Sequence, residues 1–575
     1  MGLAVHLLGS PWVDRSDGVS YQVRSRKSWA LLACLVLSER PLTRSRLAGL
    51  LYAEADDPLR ALRWGLAEIR RALGVEVDGD PVRLRLPPGA VVDVDVLRHG
   101  SWAAAVELPG LGAELLDGVT VKSAPAYESW LLSERRRIAA AAEAILHEAA
   151  LGRLAAGDLT AARDLAVRAA GMNPLDENHQ ALVIRLYRLA GEDRAAEQQY
   201  AAVTELFARE LDARPGIAVR AALATTRESH QEADDASLEA IVESGAAAIS
   251  AGSVETGVRS LRTAVRLADR AGSTRWRLAA RLRLAEALIH SLRGLDEEGL
   301  AILHEADRLA LAADDRAAAA RARAEIGYVD FLRARYDRAE RWLTEALAAG
   351  EDSPAVVARV STYLGSVESD RASYPRARER LEQAIGLAAD ARTEAYALSM
   401  LGRVHLLTGD LTAAAARLDE SIQVASRDHW LAFLPWPQAM RGETLLAAGD
   451  PAAAARMLRQ AFARACQLGD PCWEGMAARS LALVAEAEGH SGRAFELLAD
   501  ARARSNRLAD PYVWLDAHIL DAQCTLGRRH GHPDTPVWID TLRRLASRTG
   551  MREMTVHALR HSGDLDAADL MNAVE

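Results

Sequence analysis

Between residues 57 and 73, apolar side chains recur every three or four positions, which is the period of an amphipathic helix. At about 100° per residue, one narrow face carries the apolar side chains of Leu62, Leu66, Ile69 and Leu73. The opposite face carries Arg60, Arg63, Trp64, Ala67 and Arg71. One face is therefore expected to pack against the protein, and the other to point outward.

Local signals predict both ends of this helix. Asp57 can cap the first free amides, Pro58 suits the first helical position, and Gly74 suits the position after the last turn. Arginines opposite an apolar face are typical of a recognition helix in a DNA major groove, because guanidinium groups bind guanine edges and phosphates. An ordinary amphipathic surface helix has the same pattern, so both interpretations stay open.

The preceding sequence predicts strands and two further helices. Alternating apolar residues over Leu3–Leu7 and Val19–Val23 predict a small antiparallel sheet. Helical spacing predicts a helix over Arg26–Glu39, and Thr43 is expected to cap a short helix that runs to Leu51.

Beyond the arginine-rich helix, two short strands about Asp78-Gly79-Asp80 predict a hairpin, with a further extended run over Val91–Val96. Strands, three helices and a hairpin in this order resemble the winged-helix output domain of response regulators. The specific version resembles the SARP family of actinobacterial transcriptional activators. The segments SRKSWALLACLVLSERPLTRSRLAGLLY and LRALRWGLAEIRRALG match that family's first, second and recognition helices in order. The resemblance covers residues 1–98, which are expected to form a winged-helix DNA-binding domain.

In that family the third helix enters the major groove and the wing touches the adjacent backbone. The resemblance therefore implies candidate DNA contacts at Arg44, Arg60, Arg63, Trp64, Arg71, Arg83 and Arg85. Trp64 suits either a thymine methyl group or a neighbouring domain. Gly65 is expected to weaken the helix by about 1 kcal/mol relative to alanine.

From residue 101 to residue 226 the pattern becomes helical. This stretch resembles the bacterial transcriptional activation domain that follows the winged helix in SARP proteins. The features that match are Trp130, Arg135–Arg137, Asn173-Pro174-Leu175 before Glu177, Glu210-Leu211 and Pro215-Gly216. Asp212 stands where the family usually has glycine, so the last helix is expected to end differently here.

After a polar boundary at 227–237, residues 238–575 contain a repeat. Its anchor positions, spaced 37 to 42 residues apart, are Gly252, Gly294, Ala334, Ala372, Gly409, Gly449 and Gly489. Nine residues after each anchor stands a leucine: Leu261, Leu303, Leu343, Leu381, Leu418, Leu458 and Leu498. At the positions seven residues before each anchor, and five and twelve residues after it, the residue is always glycine, alanine or serine. These columns predict a superhelix of tetratricopeptide-like hairpins, with the leucine in the seam to the next hairpin.

One position in the first helix of each hairpin is expected to face the concave groove. It reads Arg281, Arg321, Arg359, Tyr396, Trp436, Met476 and Trp514. Exposed arginines and aromatics are frequent binding anchors, so this groove is a candidate site for an acidic peptide, a protein or a small ligand. Alternatively, Trp436 and Trp514 staple the starts of their helices.

Composition favours a mainly α protein. Hydrophobic residues make up 50% of the chain and aromatic residues only 5%, and the hydrophobic residues are mainly Ala and Leu, which favour helix over sheet. The net charge is −10, yet residues 24–71 contain ten Arg or Lys against five Asp or Glu. Local positive charge on an acidic chain is typical of a small DNA-binding module. Four scattered cysteines without a CxxC pair indicate neither a disulfide framework nor a zinc site and fit a reducing cytoplasm. No signal peptide or membrane span is expected.

Catalytic motifs are not found. Neither lysine, Lys27 or Lys122, follows a glycine, so the sequence lacks a phosphate-binding GxxxxGK[ST] loop. HExxH and GxSxG motifs are also absent. We therefore expect neither an enzyme nor a bound cofactor or metal.

Taken with the resemblance, these patterns predict a DNA-binding transcriptional regulator at the nucleoid. It is expected to bind direct repeats in double-stranded promoter DNA as a homodimer, to recruit RNA polymerase, and to receive a signal through the repeat array. The family often controls secondary metabolism. The main alternative is an interaction scaffold whose winged helix contacts protein rather than DNA, and a sensor that represses is a third interpretation.

Overall fold

The computed structural model describes residues 2–15, 23–38, 41–121, 124–223, 235–250, 254–290, 294–428, 430–507 and 511–565. Within these ranges the chain is mainly α, with a small α/β region at its N-terminal end. The elements in chain order are β1 (Ala4–His6), β2 (Trp12–Asp14), α1 (Arg26–Leu37), α2 (Arg44–Tyr52), α3 (Pro58–Leu73), β3 (Glu76–Asp78), β4 (Arg83–Arg85), β5 (Val91–Val92), α4 (Asp93–His99), α5 (Trp102–Ala105), α6 (Pro125–Ala155), α7 (Leu159–Met172), α8 (Glu177–Ala190), α9 (Asp193–Leu211), α10 (Ile217–Leu223), α11 (Asp235–Ser250), α12 (Val254–Ala271), α13 (Thr274–His290), α14 (Asp296–Ala312), α15 (Arg316–Leu332), α16 (Tyr336–Ala349), α17 (Pro354–Asp370), α18 (Tyr374–Leu387), α19 (Ala391–Leu407), α20 (Leu411–Arg427), α21 (Pro435–Ala447), α22 (Pro451–Leu468), α23 (Pro471–Ala487), α24 (Ser491–Ser505), α25 (Val513–His530), α26 (Thr535–Thr549) and α27 (Arg552–Ser562).

The chain divides into two compact units. Residues 1–149 together with 539–575 form the first, called here the composite unit, and residues 150–538 form the second, called the repeat unit. The domain boundaries expected after residues 98 and 226 stay predictions.

A three-stranded sheet with the order β2-β1-β5 lies in the composite unit. β1 runs antiparallel to β2 and parallel to β5, and it places Val5 opposite both Val13 and Val92. All three valines are buried, so one face of the sheet joins the core under α1, α2 and α3. The strand expected over Val19–Val23 lies mostly outside the described residues, and the antiparallel partner found for β1 is β2.

The extended run expected over Val91–Val96 is wrong beyond residue 92, because Asp93 begins α4 there. The Asp93 carboxylate is buried and accepts the backbone amides of Leu7 and Leu8 at 2.8 and 2.9 Å. It also accepts the amide of Val94 at 2.7 Å. Asp93 therefore accepts hydrogen bonds from amides just after β1 and from the first turn of α4. These bonds explain why β5 ends at Val92.

The repeat unit consists of antiparallel helix pairs, and the predicted leucine column is buried throughout at Leu261, Leu303, Leu343, Leu381, Leu418, Leu458 and Leu498. That the leucine fills the seam to the next hairpin stays a prediction. The structure shows it within its own hairpin, because each glycine seven residues before an anchor meets the leucine of the same hairpin. A Cβ built on Gly402 would lie 2.6 Å from Leu418 Cγ, and one on Gly365 would lie 2.7 Å from Leu381 Cγ. The glycine thus lets the two helices of one hairpin touch.

The anchor positions lie in the turns between paired helices, where the backbone is left-handed. Among the described anchors, φ is +89° at Gly294, +82° at Gly409 and +87° at Gly449. Ala334 and Ala372 adopt the same conformation, with φ of +54° and +61°, although their Cβ atoms disfavour it. Gly252 lies outside the described residues.

The expectation that α9 ends differently at Asp212 is wrong. Asp212 adopts a left-handed conformation with φ of +50°, which is the conformation that a glycine would supply at this position. No described helix combines the length and the apolar character that a bilayer crossing requires.

Candidate nucleic-acid interface

The arginine-rich helix α3 has the predicted bounds. Asp57 Oδ1 accepts the amide of Arg60 at 2.9 Å, Pro58 is the first helical residue, and Gly74 turns left-handed at φ +67°. The predicted inner face is buried at Leu62, Leu66, Ile69 and Leu73. The local caps therefore set the ends of α3, and the apolar spacing sets which of its faces points inward.

The outer face of α3 is open to solvent. Arg60, Arg63 and Arg71 are exposed, and 66% of the Trp64 surface is accessible. Arg63 lies 4.0 Å from Asp57, but an exposed pair at this distance is worth less than about 1 kcal/mol and leaves the guanidinium available. Arg70 was not predicted, but it is also exposed and lies on the same face as Arg63, about two helical turns further along α3.

Gly65, which was expected only to weaken α3, is required by the packing of that helix. It is buried, and a Cβ built on it would lie 2.5 Å from Tyr52 Oη and 3.1 Å from Leu31 Cδ2. A glycine therefore allows α3 to approach α1 and α2, while the next residue outward, Trp64, remains exposed.

Glu68 fixes α3 against α1 and was not predicted. Its carboxylate accepts the amide of Arg24 at 2.8 Å and the hydroxyl of Ser28 at 2.6 Å, at the start of α1. Glu68 therefore ties α3 to the backbone just before α1 and to a side chain in its first turn. A lone acid among the arginines of α3 was the available signal.

The hairpin β3–β4 presents two more arginines. Arg83 and Arg85 are exposed on β4, and the register places them opposite Asp78 and Glu76. These cross-strand acids offset part of the positive charge that the hairpin offers. The two-residue alternation is as expected, since Val77 is buried between the two acids.

Arg44 differs from the other predicted contacts because it is half-buried. Its Nε donates to the carbonyl of Gly79 at 2.9 Å, and its own amide donates to Asp80 Oδ1 at 2.9 Å. Arg44 therefore holds the hairpin turn to the start of α2. A direct contact between Arg44 and DNA stays a prediction.

Two of the features on which the resemblance to an activation domain rests make side-chain bonds to the backbone. In the composite unit, Arg135 donates from Nε to the carbonyl of Leu115 at 2.9 Å and from Nη2 to that of Leu116 at 3.0 Å. In the repeat unit, Glu177 Oε2 accepts the amide of Gly216 at 2.9 Å. The Glu177 and Pro215-Gly216 features are thus two ends of one contact.

The predicted groove positions all fall on the first helices of their hairpins, but their surroundings differ. Arg281 is buried, and its Nη2 lies 2.8 Å from both Asp269 and Glu305. Arg321 is exposed, and Arg359 and Tyr396 are half-buried. The basic half of the groove therefore has one exposed arginine among these three.

The expected exposure of the aromatic half is wrong, because Trp436, Met476 and Trp514 are buried. Trp436 is the second residue of α21 and Trp514 the second of α25, so both lie at helix starts, as the alternative interpretation has it. Ligand binding by this groove stays a prediction.

A buried charged network that the sequence did not reveal lies beside these tryptophans. Arg403 and Asp370 have fully buried side chains and are joined at 2.7 Å. The Tyr512 hydroxyl accepts from Arg403 at 2.7 Å and donates to Asp370, while Tyr336 donates to Asp370 at 3.1 Å. Burial raises the pKa of Asp370 to about 6, against the opposing effect of the Arg403 charge. Arg403 also lies 4.5 Å from the centre of the Trp514 ring. The charged network and this buried tryptophan therefore pack together in the core of the repeat unit.

Comparison with known proteins assigns one segment. Residues 93–226 match the family of the bacterial transcriptional activator domain. No curated protein sequence matches the chain. The segment, rather than the whole chain, therefore carries the signature of a transcriptional activator family.

Solved structures with similar folds include helical-repeat proteins. A Rap protein complexed with competence and sporulation factor has 13% identity and a TM-score of 0.44, covering 59% of this chain and 96% of that one. Mycobacterium tuberculosis EmbR in complex with a low affinity phosphopeptide has 21% identity and a TM-score of 0.30, covering 39% and 64%. The tetratricopeptide protein YrrB has 18% identity and a TM-score of 0.24, covering 36% and 96%. At these values the likeness carries no inference about function.

Proposed function

We propose that this protein is a DNA-binding transcriptional regulator of the SARP type. In this proposal residues 1–98 act as a winged helix, residues 101–226 as the activation domain, and residues 238–575 as a regulatory input module. The observation that carries the proposal is the outer face of α3, where Arg60, Arg63, Trp64 and Arg71 are exposed together.

The geometry of α3 suits a major groove. Its inner face is fixed by apolar burial, by the close approach at Gly65 and by the bonds of Glu68 to the start of α1, so the outer arginines are displayed from a rigid helix. A bidentate arginine contact to guanine discriminates against other bases by about 1–3 kcal/mol. Arg83 and Arg85 follow on the hairpin, where they can contact phosphates beside the groove.

The match of residues 93–226 to an activator family supports transcription as the output. We propose that the protein binds direct repeats as a homodimer and recruits RNA polymerase, because the resemblance in residues 1–226 implies both. The repeat unit is proposed to receive a peptide, protein or small-molecule signal, and activation rather than repression is part of this proposal.

DNase footprinting of the full chain on the DNA upstream of its own gene tests the proposal. We expect protection at repeated half-sites, and we expect the Arg63→Ala and Arg71→Ala variants to lose it at the same concentration. Arg427→Ala removes an exposed arginine from the repeat unit and serves as the matched control, with protection unchanged. Unchanged protection by both α3 variants, or an equal loss in the control, would contradict the assignment of α3.

Trp64 favours a second candidate function. A tryptophan with 66% of its surface exposed is unusual on DNA-reading helices but frequent among protein-binding anchors. The alternative is therefore an interaction scaffold in which the winged helix binds protein. A scaffold would capture its partner equally well with and without added DNA and would depend more on Trp64 than on Arg71.

A further inference from the structure

A cavity of about 160 Å³, partly open to solvent, is formed by residues of the composite unit. Its wall combines residues of α1 and α2, the first half of α6, and the C-terminal helices α26 and α27. The cavity therefore exists only because the end of the chain packs within the same unit as its beginning.

Specific contacts hold the C-terminal helices in this place. Arg548 on α26 donates to both carboxylate oxygens of Glu143 on α6, at 2.7 and 2.8 Å. Arg136 on α6 donates to the hydroxyl of Ser547 at 3.3 Å. These contacts lie next to the cavity wall, which includes Ser547 itself.

One part of the wall is apolar. Leu37, Leu42, Leu50 and Leu559 line it together with Cys34. Burial raises the pKa of the Cys34 thiol far above its usual range, so this side chain is neutral and behaves as a small apolar group. A cavity of about 150 Å³ lined by such side chains is large enough to hold a benzene ring.

The other part of the wall is positively charged. Arg46, Arg137 and Arg552 line it, and Glu134 is the one carboxylate among the lining residues. Burial, and then the nearby charge of Arg552, lower the pKa of Arg46, which indicates that positive groups from α2 and α27 face the same space. Two guanidinium groups on one wall offer the paired N–H donors that a carboxylate accepts.

We propose that this cavity is a binding site for a small aromatic carboxylate, whose ring packs on the leucines and whose carboxylate pairs with Arg46 and Arg552. Bidentate pairing with guanidinium groups favours a planar carboxylate, and the apolar wall favours an organic anion over a free inorganic one. The site is distinct from the candidate groove of the repeat unit and from the outer face of α3.

Isothermal titration of the full chain tests the site, with benzoate as the probe. We expect saturable binding of benzoate at one site, much weaker binding of neutral benzyl alcohol, and none of inorganic phosphate. Arg552→Gln should weaken benzoate binding about tenfold or more, because it removes a charge-assisted contact. Arg560→Gln, on the same helix but outside the cavity wall, is the matched control and should bind as the wild type does.

Ser133→Phe provides a second, independent variant, because Ser133 is half-buried on the wall and the larger side chain fills the space. It should abolish benzoate binding. The proposal is overturned if benzoate shows no saturable binding, if benzyl alcohol binds equally well, or if neither variant changes the affinity. The titration contains no DNA, so its outcome is independent of the proposed regulatory function.

Discussion

Arginine has opposite surroundings in the two units. On α3 and β4 of the composite unit, Arg63, Arg71 and Arg85 are exposed to solvent. In the repeat unit, Arg281 and Arg403 are buried, each with a carboxylate at 2.7 to 2.8 Å. The same residue type thus offers charge to a partner in one region and stabilises the core in the other.

The difference depends on where the acids stand. The partners of Arg403 and Arg281 come from other helices, so their ion pairs join helices, across 12 residues for Arg281 and Asp269 and across 33 for Arg403 and Asp370. On α3 the neighbouring acid Glu68 bonds Arg24 and Ser28 at the start of α1 and does not neutralise the outer face. Positive charge is therefore available on α3 in spite of the chain's net charge of −10.

The largest effect is expected from breaking the buried pair. Asp370→Ala leaves the Arg403 charge buried without its carboxylate, and we expect it to lower the free energy of unfolding by about 3–5 kcal/mol. Urea denaturation followed by circular dichroism measures this loss. Asp428→Ala, which removes the partner of the exposed Arg392, is the control and should cost less than about 1 kcal/mol. An equal loss in both variants would remove the contrast between the two kinds of arginine.

Acid should weaken the same core through His518. Burial, and then the charge of Arg479, lower the pKa of His518 to about 3, with Arg403 adding to this and Asp521 opposing it. The folded state keeps this imidazole neutral, while the unfolded state binds a proton below about pH 6.5. Its contribution to stability is therefore complete above pH 6.5 and falls as the pH drops toward 3, by about 1.4 kcal/mol per pH unit.

Comparing the wild type with His518→Asn isolates the pH-dependent contribution of His518 to the free energy of unfolding. The difference in unfolding free energy between the two proteins should shrink steadily from pH 6.5 to pH 4. A difference that stays constant across this range would mean that His518 titrates alike in the folded and unfolded protein.

A smaller effect is expected at the close approach below the exposed face. Gly65→Ala places a Cβ 2.5 Å from Tyr52 Oη, so we expect a loss of about 1–3 kcal/mol in the composite unit. Adding Tyr52→Phe removes that oxygen and should restore part of the loss. Gly49→Ala on α2, where nothing lies within 4 Å, is the matched control and should stabilise slightly. If Gly65→Ala also stabilised, packing would not be the reason for this glycine.

The smallest effect concerns the turns of the repeat unit. Ala334→Gly and Ala372→Gly relieve a left-handed backbone and should each raise stability by up to about 1 kcal/mol. Ala339→Gly inside α16 should do the reverse, because there the glycine only adds flexibility. Thermal unfolding of the three variants distinguishes these outcomes, and a loss at Ala334 would contradict the turn assignment.

The sequence could predict features that depend on neighbouring residues. Asp57, Pro58 and Gly74 specify the ends of α3 through local hydrogen bonds, so these bounds are confirmed. The leucine and glycine columns likewise repeat at a fixed spacing, which makes the hairpins visible without any structure.

Contacts between distant positions could not be predicted in this way. Tyr512 bonds Asp370 across 142 residues, and no periodic pattern connects the two. The helical period correctly placed Trp436 and Trp514 on their helices, but it could not show that Tyr512 and Arg403 cover them. Asp93 was mistaken for part of a strand for the same reason, since its amide partners lie 85 and 86 residues away.

The central claim is that the outer face of α3 binds DNA, and the most direct measurement is the affinity of the full chain for its own upstream DNA across a salt series. We predict specific binding whose logarithm falls linearly with the logarithm of salt concentration. Arg71→Ala should weaken binding and reduce that slope by about one if this arginine contacts a phosphate, whereas Arg427→Ala should change neither. No binding by the wild type even at low salt, or identical salt slopes and affinities in all three proteins, would contradict the account.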